Sequence, residues 1–268
     1  MESRNRNVWI VIVAAILILC CCLVVAAGLA IGLLTNRAQG FAGWTGWGPG
    51  LTTETVEHTF DVGTAPTLNV DSFAGDVFVQ ATTVDTIQVI ATKRAPSTTA
   101  MRSIQVDFEQ QDGQARIQTR RPGAGVGNTS VRLQILVPPG TQLQLSLGAG
   151  TVDIQGLTGG VEVNNGAGNV DIQSAEGQVR VDLGAGNINY EGIPSGDCRL
   201  NTGAGNIDLN LRPDADARID LSTNIGNLTV SGFDVAGQVS ARSAQGTIGT
   251  GGDASITART NAGNVTLR

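Results

Sequence analysis

The chain has 268 residues, 36 of them glycine; 41% are apolar, 4% aromatic and 15% charged, and the formal net charge is -6. The apolar share and small net charge exclude intrinsic disorder, glycine does not recur at every third place as collagen requires, and 23 acidic against 17 basic residues exclude a strongly basic nucleic-acid binder. Lys93 is the only lysine and His58 the only histidine, so chemistry built on clustered histidines or a lysine nucleophile has little to work with.

Residues 1–7 carry Arg4 and Arg6 and read as a cytoplasmic tail. Val8–Leu34 follows with 27 residues free of formal charge. A hydrocarbon core of ~30 Å needs about 20 helical residues, whereas a signal-peptide core has ~7–15. The stretch therefore predicts one uncleaved transmembrane helix over 8–34. A cleaved signal is the alternative, since Ala26, Ala27, Gly28 and Ala30 are small. The basic flank precedes the span, so the positive-inside rule puts the N-terminus in the cytoplasm and the rest outside a cell membrane. Trp9, Trp44 and Trp47 are the membrane-interface candidates, the last two in a Gly/Trp juxtamembrane linker over 35–50. Leu19 before Cys20 breaks a lipoprotein pattern, and Cys198, alone outside the apolar run, leaves the rest of the chain without a disulfide.

Residues 51–268 form one β-domain by pattern, irregular over 51–142 and regular over 143–268. The first part alternates or is β-rich at Thr55–Asp61, Thr67–Val70, Val77–Ala81, Thr86–Thr92, Ile104–Glu109, Ala115–Thr119 and Val131–Val137. Pro96–Ala100 and Pro122–Asn128 read as loops, and Pro138-Pro-Gly140 as a turn into the regular part.

The regular part is a repeat. Gly148-Ala-Gly-Thr-Val-Asp-Ile154 returns as Gly166–Ile172, Gly184–Tyr190 and Gly203–Leu209, with weaker copies at Ile225–Val230, Gln245–Ile248 and Ala262–Leu267, and an early outlier at Ala74–Val79. The second glycine falls at Gly150, Gly168, Gly186, Gly205, Gly226, Gly246 and Gly263, in steps of 18, 18, 19, 21, 20 and 17. A looser copy lies midway, at Gly160–Val163, Gly177–Val181, Gly196–Leu200 and Gly237–Ala241. Val170 and Ile172 alternate with Asn169 and Asp171, the period of a strand with one apolar face. Glycine and asparagine supply the bends. Strand, bend, strand, bend describes a coil of 18–21 residues that buries its valines only by stacking on its neighbours, in parallel. Asn169, Asn187, Asn206, Asn227 and Asn264 are expected to form a structural ladder in the bends.

Chemistry is sparse. The Gly-x-Gly motifs precede strands, whereas a dinucleotide fingerprint needs a helix. Asp153, Asp171 and Asp208 sit one place late for a calcium-binding nonapeptide. Asp171, Asp182 and Asp208 offer surface carboxylates to a polysaccharide-cleaving β-helix, but the regular coils carry no lysine or tryptophan beside them. His58 reads as an exposed or capped edge residue. Arg116, Arg120, Arg121 and Arg132 are a basic cluster for an anionic surface or a charged hairpin end. From Ala38 onward 22 acids face 14 bases, which disfavours non-specific adhesion to anions. Asn261–Arg268 reads as a terminal strand without a cap, so the C-terminal coil is expected to self-associate or to meet a partner.

The run Leu136-Val-Pro-Pro-Gly-Thr-Gln-Leu-Gln-Leu145, then Gly148-Ala-Gly-Thr-Val-Asp-Ile-Gln-Gly-Leu157 and Gly160-Val-Glu-Val163, resembles the bacterial putative-adhesin family, a domain of unknown function related to the toast-rack β-rolls of LiaG-like envelope proteins. The resemblance covers most of residues 55–268. It implies an all-β, right-handed parallel β-solenoid outside the membrane and supplies no catalytic residues. Sequence and resemblance together predict a membrane-anchored, non-catalytic binding or scaffold module, adhesive or tied to envelope stress. No enzyme activity, cofactor, metal or nucleic acid is expected; the partner expected is an envelope protein or a cell-surface polymer. The rival readings are a self-assembling, bactofilin-like β-helix and a polysaccharide-active enzyme.

Overall fold

The computed structural model describes residues 51–63, 65–121, 128–193 and 195–268. The cytoplasmic tail, the transmembrane span and the juxtamembrane linker lie outside the described residues, as do Trp9, Trp44 and Trp47. No helix among the described residues is long and apolar enough to cross a membrane.

The strands of the first part are β1 (Thr52–Asp61), β2 (Thr67–Ser72), β3 (Val77–Ala81) and β4 (Thr86–Ala95), then a one-turn helix α1 (Thr98–Arg102), then β5 (Gln105–Gln111), β6 (Gln114–Arg120) and β7 (Ser130–Val137). The helix occupies the expected loop because Ser97 Oγ accepts the Ala100 N–H at 3.2 Å and caps it. The regular part continues with β8 (Gln142–Ala149), β9 (Val152–Gln155), β10 (Val161–Ala167), β11 (Val170–Gln173), β12 (Val179–Ala185), β13 (Ile188–Gly192), β14 (Asp197–Ala204) and β15 (Ile207–Leu211). Last come β16 (Ala217–Ile225), β17 (Leu228–Val230), β18 (Ala236–Val239), β19 (Ser243–Ile248), β20 (Ala254–Ala262) and β21 (Val265–Leu267).

Two sheets face each other across a narrow core. One runs β1-β4-β7-β3-β9-β11-β13-β15-β21-β17, the other β18-β19-β16-β20-β14-β12-β10-β8-β2-β6-β5. Each coil gives one strand to each sheet, and its equivalents in the next coils pair in parallel: Val161 lies between Leu143 and Val179, and Val170 between Val152 and Ile188. Burial alternates with period two, so Val170 and Ile172 are fully buried while Asp171 between them is not. Tyr190 takes the place held by Ile172 in the coil before, and its hydroxyl donates to the Ala175 carbonyl at 3.0 Å. The core is otherwise almost entirely Val, Ile, Leu and Ala, as the low aromatic content anticipates.

The bends explain the repeat. Gly168 has φ +133°, and a Cβ there would lie 1.9 Å from the Gly150 carbonyl oxygen. Gly75, Gly150, Gly186, Gly205, Gly263 and Gly226 stack in the same column with φ between +123° and +149°. Beside it the asparagines form a second column. The backbone N–H of Asn187 donates to Asn169 Oδ1 at 3.2 Å, Asn206 to Asn187 at 3.0 Å, Asn264 to Asn206 at 2.9 Å and Asn227 to Asn264 at 2.9 Å.

The column order departs from chain order, and four expectations need correction. The coil β20/β21 is not terminal in space: β20 pairs with both β14 and β16, and β21 with both β15 and β17. The premise of an open C-terminal coil therefore fails. Gly246 makes no coil bend but lies within β19, antiparallel to β16 and β18. Gly237–Ala241, taken as a half-coil, supplies β18 of the same antiparallel cap. In the first part β1 and β4, and β5 and β6, pair antiparallel rather than as coils.

Candidate functional site

Parallel register turns a repeated strand into rows of outward side chains. On the 11-stranded sheet Arg116 of β6 pairs with Asn69 of β2, and Asn69 with Gln144 of β8. The row continues through Glu162 of β10, Arg180 of β12 and Arg199 of β14. A parallel row holds Asp71, Ser146, Asn164, Asp182 and Asn201. Strand spacing of ~4.8 Å carries the first row over about 24 Å from Arg116 to Arg199.

Two open hollows lie along these rows. One, of about 290 Å³, is lined by Gln142, Glu162, Gln178, Arg180, Asp197 and Arg199. The other, of about 600 Å³, is lined by Asn69, Asp71, Arg116, Ser146, Glu162 and Asn164. Gln144 and Glu162 line both, so the hollows form one groove. Some of its groups are engaged: Arg180 Nε lies 3.0 Å from Asp182, Gln118 Nε2 donates to Asp71 at 3.1 Å, and the Ser255 hydroxyl donates to Asp197 at 2.6 Å. Arg116, Gln144, Glu162 and Arg199 make no side-chain hydrogen bond or ion pair with the described residues and are free to meet a ligand.

The predicted arginine cluster does not hold together. Arg116 joins the groove. Arg120 lies 3.7 Å from Asp107 and donates to Gln118. The Arg121 guanidinium sits 5.8 Å from the Phe73 ring, and Arg132 crosses to the other sheet, 3.2 Å from Asp76. The predicted carboxylates also part. Asp182 belongs to the 11-stranded sheet, whereas Asp153, Asp171 and Asp208 share a row with Asn189 on the 10-stranded sheet. Burial raises the Asp153 pKa; a hydrogen bond from Gln155 opposes that shift and the Asp171 charge adds to it. Among the described residues no three His, Cys, Asp or Glu side chains are grouped to hold a metal ion.

His58 sits on edge strand β1, exposed, its ring stacked on Phe108 at 4.6 Å and edge-on to Phe60 at 4.5 Å. It closes one end of the core rather than facing a serine or aspartate. Cys198 is buried, and burial pushes its thiol up to about 12. One class of structural residue escapes a period-two reading. Asn165, Thr202, Thr223 and Thr260 point inward yet are polar, and each donates to a bend-glycine carbonyl: Gly150, Gly186, Gly263 and Gly205 respectively. Their signal is a polar residue on the buried phase just before the bend.

The chain is similar to several solved structures and to one family model. A solved structure described as a putative cell adhesion protein from Clostridium sporogenes is similar over 81% of this chain and 98% of its own, at 15% identity and a TM-score of 0.50. A putative adhesin from Bacteroides fragilis covers 80% and 97% at 13% identity and a TM-score of 0.35. A putative lipid binding protein from Parabacteroides distasonis covers 81% and 97% at 10% identity and a TM-score of 0.29. No curated protein matches. The model of one family, described as Toastrack DUF4097, matches residues 55–268, and the chain belongs to that family.

Proposed function

We propose that the chain is a non-catalytic, adhesin-like binding module, tethered outside a cell membrane by residues 8–34, whose ligand-binding surface is the outer face of the 11-stranded sheet. The observation that carries this reading is the groove running through Gln144 and Glu162, with polar side chains in register and several left without a protein partner. A rigid stacked sheet holds such groups at fixed spacing, so little order is lost when a ligand binds. The name of the Clostridium sporogenes structure, a putative cell adhesion protein, agrees with the reading.

The test uses the full chain in lipid nanodiscs and purified bacterial cell-wall sacculi, read by co-sedimentation. Retention is expected to fall in Gln144→Ala/Arg180→Ala and to persist in Asp171→Ala/Asp208→Ala on the other sheet. Retention blind to the groove variants would refute the reading, and release of soluble sugar would favour the enzyme.

A further inference from the structure

Resting on that reading, we infer that the groove takes an uncharged, hydroxyl-rich polysaccharide lying across the strands. Three features of the groove select this ligand.

The first is charge. The lining holds three arginines, Arg116, Arg180 and Arg199, and three carboxylates, Asp71, Glu162 and Asp197. They are interleaved rather than segregated. In the row from Arg116 to Arg199, Glu162 stands between the arginine at one end and the pair at the other. The row alone carries three arginines against one carboxylate, but Asp71 and Asp197 beside it bring the lining to zero, so neither a polyanion nor a polycation gains a net attraction from the groove. A neutral chain needs none.

The second is hydrogen-bonding type. A sugar hydroxyl both donates and accepts. Arginine only donates, ionised carboxylate only accepts, and the amides of Asn69, Gln144 and Asn164 do both. Gln144, Glu162 and Arg180 set the three kinds on three successive strands, so a hydroxyl there finds a complement. Charge-assisted bonds to Arg116, Glu162 and Arg199 are the stronger ones.

The third is period. The row offers one side chain per strand at ~4.8 Å, close to the length of one pyranose unit in an extended chain. Successive sugars then sit over successive strands, and weak single contacts add by multivalency along the row. The groove lacks aromatic platforms among its lining residues, so binding depends on this repetition more than on any one ring.

The experiment immobilises the full chain in nanodiscs and passes over it neutral polymers (dextran, laminarin, yeast mannan), an anionic one (polygalacturonate) and a cationic one (chitosan), at low and high salt. At least one neutral polymer is expected to bind with little dependence on salt. Gln144→Ala/Glu162→Ala should weaken it about tenfold or more, the scale of one or two lost polar contacts. Glu162→Gln, which keeps an acceptor and removes the charge, should weaken it less than the double variant does, by about fivefold. Gln144 is exposed and Glu162 half-exposed on a strand face, and circular dichroism checks that the variants fold. Binding of polygalacturonate or chitosan alone, lost at high salt, overturns the inference, as does a lack of binding to every neutral polymer. If groove-dependent retention on sacculi survives that result, the binding face stands and only the ligand class falls. If retention ignores the groove variants, the binding face itself falls.

Discussion

The bend column makes a sharp demand on one atom. In Gly186→Ala the new Cβ would lie 1.7 Å from the Gly168 carbonyl oxygen, at φ +134°. The obstacle is backbone, so no side chain can swing away. That φ is reserved for glycine, and forcing alanine into it costs about 2 kcal/mol. Relieving the contact separates two coils and strains three bonds between them: Gly168 N–H to Ala185 O, Val170 N–H to Asn187 O, and Asn187 N–H to Asn169 Oδ1. Each is worth about 1 kcal/mol net. The total is about 5 kcal/mol, comparable with the whole stability of a domain at its lower end. Gly113→Ala is the control. It too has positive φ, +78°, but nothing lies within 4 Å of its Cβ, so its cost is about 1 kcal/mol. Urea unfolding followed by far-UV circular dichroism on the two variants compares the costs directly. A loss below about 2 kcal/mol for Gly186→Ala, or equal losses for the two variants, would refute the close-stacking account.

Ending the chain at Gly252 removes β20 and β21, and with them the parallel partner of β16 and the partner of β17, leaving β16 paired only with β19. Hydrogen exchange should then show residues 217–248 unprotected while β8–β13 stay protected; unchanged protection over 217–248 would refute the observed stacking order. Cys198, with its thiol pushed up to about 12, is expected to resist iodoacetamide at pH 8 until the protein is denatured, as peptide mapping would show; rapid labelling of the native protein would contradict its burial. The Thr250 hydroxyl and then the Gly252 N–H hold the Asp216 pKa below its ordinary value. A lowered carboxylate contributes stability above its unfolded pKa and loses it as pH falls through the folded one, so Asp216→Asn should flatten the acid limb of the stability curve and leave its neutral-pH shape alone. An unaltered acid limb would show that the cap on the Gly249–Gly252 turn is unimportant.

The strand and bend of a single coil were legible in a single coil of sequence. Val170-Asp-Ile172 states its own period, and Gly166-Ala-Gly168 states its own backbone, because both demands are local. Even the irregular copy at Gly75 could be placed: its carbonyl lies 2.0 Å from where a Gly150 Cβ would be. Stacking order was not legible, for the same reason that the repeat was. Residues 217–230 and 254–267 carry equivalent patterns, so either would fit beside β14 and β15, and only the connections decide between them. Gly246 shows how one residue type serves two steric causes. A Cβ there would meet the Ala236 carbonyl at 2.5 Å, and one at Gly237 the Gln245 carbonyl at 2.0 Å. These glycines permit close antiparallel approach, yet in sequence they look like the bend glycines. The groove was hidden more deeply. Arg116, Asn69, Gln144 and Glu162 become neighbours only through register between strands far apart in the chain, and Arg116 looked instead like part of a cluster with Arg132, which lies on the other sheet.

A solenoid needs closed ends, because an open coil exposes both apolar interior and unpaired strand edges. This chain closes both ends by the same topological move. The first coil, β2/β3, lies inside the later coil β6/β7, and the last, β20/β21, lies inside the earlier coil β16/β17. Each end coil is therefore held by covalent connections that step over its neighbour. Antiparallel strands then cover the stack: β4, β1 and β5 at one end, and β19 and β18 on the 11-stranded sheet at the other, where the 10-stranded sheet ends on the parallel strand β17. Two of the four edge strands, β1 and β18, are poor templates for another copy. β1 carries Glu54, Glu57 and Asp61, and β18 has only four residues; charge and shortness both discourage edge pairing. End-to-end polymerisation would have to begin on the edge strands, whereas the groove lies on the central strands of the 11-stranded sheet. A ligand can thus run across the stack without disturbing either end, which is the arrangement the proposed binding face requires.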